Sequence, residues 1–203
     1  LVRYECALDV VRTQLSNLNT YYNNFEAINP IEHIKHRLKS PESIAGKLKK
    51  KDLPVTADAA DEHLSDIAGI RIICSYAKNI YEIVEIIKSQ EAFTVVSEKD
   101  YLRNVKKTGY RSYHMIVEVN LGHLFSEQTC RVEIQLRTSA MDFWATLEHK
   151  VRYKYDGQIP EQLSGELQNC AEQIHALDER MYLIHKVLDM INQSEVDIEQ
   201  IGY

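Results

Sequence analysis

The 203-residue sequence predicts an α/β or α+β domain, a mixed sheet of about five strands flanked by helices. Three observations carry that expectation. Five short segments are rich in β-branched residues and either alternate or run apolar, as half-buried and fully buried strands do. Segments with apolar residues every three or four positions stand between and beside them. No internal repeat or low-complexity stretch interrupts the chain, and its 7 glycines and 4 prolines mark turns rather than a linker.

Leu8, Val11, Leu15, Leu18, Tyr22 and Phe25 follow helical spacing and make residues 1–28 an amphipathic N-terminal helix. Ile31 to Leu38 alternates and reads as a strand. Ser40-Pro41-Glu42 starts a helix that runs to about Lys51, with serine at the N-cap, proline in the first turn and an acid favoured by the helix dipole. A shorter helix follows Thr56. Ile67 to Cys74 (IAGIRIIC) reads as a buried strand, Ala77 to Ser89 as a helix and Phe93 to Ser97 as a strand. Tyr113 to Val119 and Cys130 to Leu136 alternate with period two and lie close enough for a hairpin, and Thr138 can cap the helix that follows. From Leu163 to Ile191, apolar residues recur in 4-3 spacing over roughly four heptads. That seam is built to meet another helix, either the chain's own first helix or one of a second copy. One domain, 1–203, is expected, with an N-terminal helix over 1–28, a core over 29–155 and a helical region over 156–203.

Hydrophobic residues make up 44% and charged residues 27%, ordinary for a soluble globular protein. No apolar run reaches roughly 18 residues, so no membrane span is expected. Arg3, Glu5, Asp9 and Arg12 break the N-terminus, which excludes a signal peptide there. Cys6, Cys74, Cys130 and Cys170 form no C-x-x-C pair, which fits neither a disulfide framework nor a zinc ribbon and points to a reduced, cytoplasmic protein. A net charge of −6 argues against nucleic acid as a partner. Yet Lys35 to Lys51 holds seven basic residues against one acid, and Lys99 to Arg111 five against one. Two basic segments in an acidic chain suggest a local site for an anion such as a polyphosphate.

Three segments carry charge where a plain strand does not need it. Asp66 precedes a buried strand that contains Arg71, and Gly69 between them allows close approach of a backbone or ligand. An ion pair of Asp66 with Arg71 is the structural alternative. Lys106 to His114 (KKTGYRSYH) turns at a glycine and presents Tyr110, Arg111, Ser112 and His114, residue types that stack bases and hold phosphates. A half-buried histidine and a core tyrosine are the bland alternatives. In the third segment, period two puts Glu133, Gln135 and Arg137 on one face, either a binding floor or a solvated surface. Together with Asp66, Glu133 can complete a two-carboxylate Mg²⁺ site in which substrate phosphates supply further ligands.

DIAGIRIIC, KKTGYRSYH and VEIQLRTSAMDFWATLEHKVRYK, in that order, resemble the synthetase domain of RelA/SpoT-type alarmone synthetases. NPIEHIKHRLKSPESI is similar to the RelP branch of the stand-alone small forms, and the resemblance covers about Asn29 to Tyr155. It implies a single synthetase domain with a nucleotidyltransferase-like fold that transfers pyrophosphate from ATP to the 3′-hydroxyl of GDP or GTP. Asp66 and Glu133 would be catalytic and hold Mg²⁺. Arg37 and Arg71 would flank the adenine, while Lys39, Ser43 and Lys47 would contact the ATP phosphates. Tyr110 would stack on guanine, Lys106 and His114 would bind the acceptor's phosphates, and Gln135, with Glu148 near it, would hold the acceptor nucleotide. The resemblance also implies a homo-oligomer, a tetramer.

Val105 stands where family loops often have proline, which implies a more mobile loop. No His-Asp dipeptide occurs, so synthesis without hydrolysis is expected. His33 and Lys35 match poorly the branch in which product binds between subunits. His33 and His36 are either Zn²⁺ ligands shared with a partner subunit or exposed strand histidines. A catalytically silent guanine-nucleotide regulator on the same fold is the alternative reading, and pyrophosphorylation of adenine nucleotides a third.

Overall fold

Alternating strands whose central positions present one apolar face need helices to cover that face, and this is how the chain folds. The computed structural model describes residues 1–26, 28–125, 128–154 and 159–201, with 124, 153–154 and 193–201 as backbone only. The expected boundary between 155 and 156 lies outside the described residues.

Two compact units make up the chain: Leu1–Val105 with Arg111–Ser139, and Lys106–Tyr110 with Ala140–Tyr203. The first holds all the described strands: β1 (Ile31–Leu38), β2 (Ala68–Cys74), β3 (Phe93–Asp100), β4 (Tyr113–Asn120) and β5 (Thr129–Thr138). They form one mixed sheet of five strands, as expected; its order is β1-β2-β5-β4-β3, with β2 and β5 parallel and the other neighbours antiparallel. Cross-strand register aligns Ala68 with Val132 and Val117, and Ile70 with Ile134 and Met115, all buried. Over this sheet lie α1 (Val2–Phe25), against β1, β2, β4 and β5, and α4 (Ala77–Lys88), against β2 and β5. Helix α1 buries Ala7, Leu8, Val11 and Leu15, while Phe25 at its end is exposed; α4 buries Ile80, Ile83, Val84 and Ile87.

Helices α2 (Pro41–Lys50) and α3 (Ala57–His63) begin where the capping residues predict. Ser40 Oγ accepts from Ser43 N and Thr56 Oγ1 from Ala59 N. Strand β5 runs on to Thr138, so that residue ends the strand and α5 (Ser139–Lys154) starts directly after it. Likewise β3 extends past the expected Ser97 to Asp100, with a register shift between Val95 and Ser97. Cys74 and Cys130 are buried thiols, and all four cysteines are free.

In the second unit, Trp144, Ala145 and Ala171 are buried, and Tyr110, Leu167 and Ile174 pack against them. Trp144 Nε1 donates to the Leu167 carbonyl at 3.0 Å, tying α5 to α6 (Glu161–Ile201). Further along α6, the heptad positions Leu177, Met181, Ile184, Leu188 and Ile191 are exposed. No helix among the described residues is long and apolar enough to cross a membrane.

Candidate active site

The second face of the sheet is polar, and register decides what meets there. One cross-strand row runs Arg37, Gly69, Glu133 and Ile116; the next runs Lys35, Arg71, Gln135, His114 and Lys99. Partners in register project from the same face. Gly69 leaves a gap between Arg37 and Glu133, and the gap opens into a cavity of about 240 Å³. Lys35, His36, Arg37, Asp66, Arg71, Glu133 and Gln135 line it together with Gly69 and Ile70. Both carboxylates of the sequence reading therefore face one space.

Asp66, which the loop after α3 brings to the foot of β2, has 20% of its side chain exposed. Its Oδ2 accepts from Lys39 Nζ at 2.7 Å and Lys47 Nζ at 2.5 Å. Its partners are thus the two lysines that flank the N-terminal half of α2. Buried Oδ1 has no hydrogen-bond partner among the described residues. Burial pushes this carboxyl up, but the two lysines outweigh that and hold it below the ordinary aspartate value. Glu133, 17% exposed, lies with Oε1 3.3 Å from His114 Nδ1 and with Oε2 2.9 Å from the donating Gln135 Nε2. Burial raises its pKa, the His114 and Gln135 contacts lower it, and the charge of Asp66 raises it, for a net lowering. The Tyr101 ring stands edge-on to His114, at 90° and 5.3 Å between centroids.

Not every expected site residue lines this cavity. Ser43 is exposed and its backbone serves the cap of α2. Lys106, Tyr110 and Glu148 belong to the second unit. There Lys106 Nζ sits 4.7 Å from the centroid of the Tyr110 ring, and Glu148 pairs with Arg152 one turn along α5. Gly109, at φ 86°, turns this loop, and its N–H donates to the Lys106 carbonyl at 2.8 Å. Of the two β1 histidines, His36 lines the cavity and His33 does not. No three His, Cys, Asp or Glu side chains among the described residues gather as a metal site.

Lys35 shares the face of Arg37 by period two, whereas His36 has the opposite parity, so alternation gives no sign that it lines this cavity. Arg137 carried no role in the sequence reading, yet it is 5% exposed and hydrogen-bonded to Gln135 and Ser112. The third segment is therefore no solvated surface.

Paired acids beside lysines and arginines in one cleft are the residue types that suit polyphosphate and a divalent cation. The chain belongs to the RelA/SpoT family: residues 36–158 match the model of the region found in RelA/SpoT proteins. It is 45% identical to the GTP pyrophosphokinase YwaC of Bacillus subtilis, over 93% of this chain and 90% of that protein. The small alarmone synthetase 1 of Bacillus subtilis bound to its product pppGpp superposes with a TM-score of 0.86, at 38% identity, covering 93% of this chain and 96% of that one. The same synthetase bound to AMPCPP gives 0.77 at 35% identity, covering 94% and 96%.

Proposed function

We propose that this chain is a GTP/GDP pyrophosphokinase that makes ppGpp or pppGpp, with AMP as the second product. One observation carries this reading: Asp66 and Glu133 share a cavity with Arg37 and Arg71 in a chain so similar to the GTP pyrophosphokinase YwaC.

In this account the acceptor's 3′-oxygen attacks the β-phosphorus of ATP in line. The bond between that phosphorus and the α–β bridging oxygen breaks, AMP departs, and the pyrophosphoryl group stays on the ribose. Glu133 takes the hydroxyl proton in this reading. Lys39 and Lys47 leave Asp66 for the incoming phosphates, with Ser43 beside them on α2. Arg37 and Arg71 lay guanidinium planes against the adenine. Tyr110 stacks on guanine, Lys106 and His114 meet acceptor phosphates, and Gln135, with Glu148 nearer the periphery, positions the acceptor nucleotide. Most of the acceleration in such transfers comes from positioning and charge stabilisation.

The donor set fits Mg²⁺. Oδ1 of Asp66 is buried without a protein partner among the described residues, and a second carboxylate shares its cavity. Two carboxylates plus phosphate oxygens suit that ion, which is seldom caged by protein alone. When bound there it would neutralise charge on the phosphates and acidify the attacking hydroxyl.

The exposed apolar positions of α6 at heptad spacing support a homo-oligomer, a tetramer in this reading, and four free cysteines suit a reducing cytoplasm. The test is to incubate the protein with γ-labelled ATP, Mg²⁺ and each of GDP, GTP, GMP and ADP. Label on a guanine nucleotide, formed in step with AMP, is expected. Label on ADP alone would make the acceptor an adenine nucleotide. No transfer to any acceptor, with guanine nucleotide still bound, would leave a silent regulator.

A further inference from the structure

The cavity floor contains a hydrogen-bond chain whose direction is fixed by chemistry. Arg137 Nη2 donates to Gln135 Oε1 at 3.0 Å, and Gln135 Nε2 donates to Glu133 Oε2 at 2.9 Å. A guanidinium only donates and an ionised carboxylate only accepts. The amide between them therefore has one allowed orientation, its oxygen towards Arg137 and its nitrogen towards Glu133. The arginine is anchored in turn. Its Nε lies 3.4 Å from Ser112 Oγ, and that fully buried hydroxyl donates to the Leu136 carbonyl at 3.1 Å.

A buried arginine is costly, and apolar residues of similar volume often replace such groups without loss of stability. Its presence here at 5% exposure calls for another use. We propose that Arg137 is a positioning residue of the transfer site, which locks the Gln135 amide so that it offers the acceptor nucleotide an N–H donor. One amide hydrogen serves Glu133. The second faces the acceptor, and the atom it holds is a hydrogen-bond acceptor, a ribose or phosphate oxygen of the guanine nucleotide. Arg137 touches no substrate itself. The same lock holds Glu133 from the side opposite His114, so one fork orients both the base and the residue beside it. This inference rests on the proposed function, since it gives Gln135 the acceptor to hold.

The test is a double-mutant cycle on the full chain with Arg137→Lys, Gln135→Leu and both together. Lysine keeps the buried positive charge but cannot span Ser112 and Gln135 at once. Each single variant is expected to lose about tenfold in kcat/KM for GDP, the effect of one lost oriented hydrogen bond, with KM for ATP unchanged. The double variant is expected to be no worse than Gln135→Leu. Losses that multiply, or Arg137→Lys with wild-type kcat/KM, would overturn the proposal, because a purely structural arginine acts independently of the amide. The cycle is read in parallel as the dissociation constant for GDP by calorimetry, which needs no turnover. If the wild-type chain transfers nothing but binds GDP, the proposed activity fails while the calorimetric cycle still decides on Arg137. If it does not bind GDP, both fail.

Discussion

Lys47 Nζ lies 2.5 Å from Oδ2 of Asp66, on the oxygen that Lys39 also contacts. Two lysines proposed to meet the ATP phosphates are thus held by the acid proposed to hold the metal. Polyphosphate and divalent cation are expected to displace this arrangement together, since each removes what neutralises the other's site.

Lys47→Met should raise KM for ATP about tenfold, the loss of one charge-assisted contact, and leave KM for GDP within twofold. Steady-state kinetics with each substrate varied in turn measures it. Equal changes in both KM values would take Lys47 off the ATP side.

Gly109→Ala tests the loop that carries Lys106 and Tyr110. A Cβ at this position would lie 2.5 Å from the Ala171 Cβ, and the φ of 86° is strained for any L side chain. The expected result is a stability loss of about 1–3 kcal/mol with a raised KM for GDP and an unchanged KM for ATP. Denaturant titration and kinetics read the two arms.

Trp144 is the single tryptophan, and it packs in the small core that also holds Tyr110. If Tyr110 seats the purine, GDP should change the tryptophan emission and AMP should not. Fluorescence titration decides it, and an identical response to both nucleotides would separate Tyr110 from guanine.

The depressed carboxyls of Asp66 and Glu133 contribute to acid stability. Asp66 and Glu133 have folded values below their ordinary ones, so both stabilise the fold above the unfolded pKa and lose that contribution as pH falls through the folded value. Melting temperature should therefore fall as pH drops below the ordinary carboxylate range. Asp66→Asn should make the drop shallower, as it removes one of the groups that titrate; an unchanged slope would show that its two lysines do not stabilise its charged form.

Much of this was legible in the chain itself. IAGIRIIC announces a buried strand by its nearly continuous apolar run and CRVEIQL a strand by strict alternation, and Ser40 and Thr56 mark helix starts by chemistry that is local. Asp66 and Glu133 read as a possible carboxylate pair from residue type alone, but their sharing one cavity depends on the parallel pairing of β2 with β5, a non-local fact. Arg137 looked like the polar end of an alternating strand. Its burial comes from Ser112 and from the Leu136 carbonyl that Ser112 binds, a contact 24 positions apart that no local pattern encodes. Strand β5 runs two residues past Leu136 to Thr138, directly before α5, because a strand end and a helix start can adjoin without a turn signal between them.

The account stands on two acids acting on one reacting centre, and turnover of Asp66→Asn, Glu133→Gln and the double variant addresses it most directly. With labelled ATP and GDP, each single variant should lose at least about a hundredfold in kcat, and the double variant should be little worse than either, because the two carboxylates act as a unit. Near wild-type label transfer by either single variant, with its fold intact by circular dichroism, would contradict it.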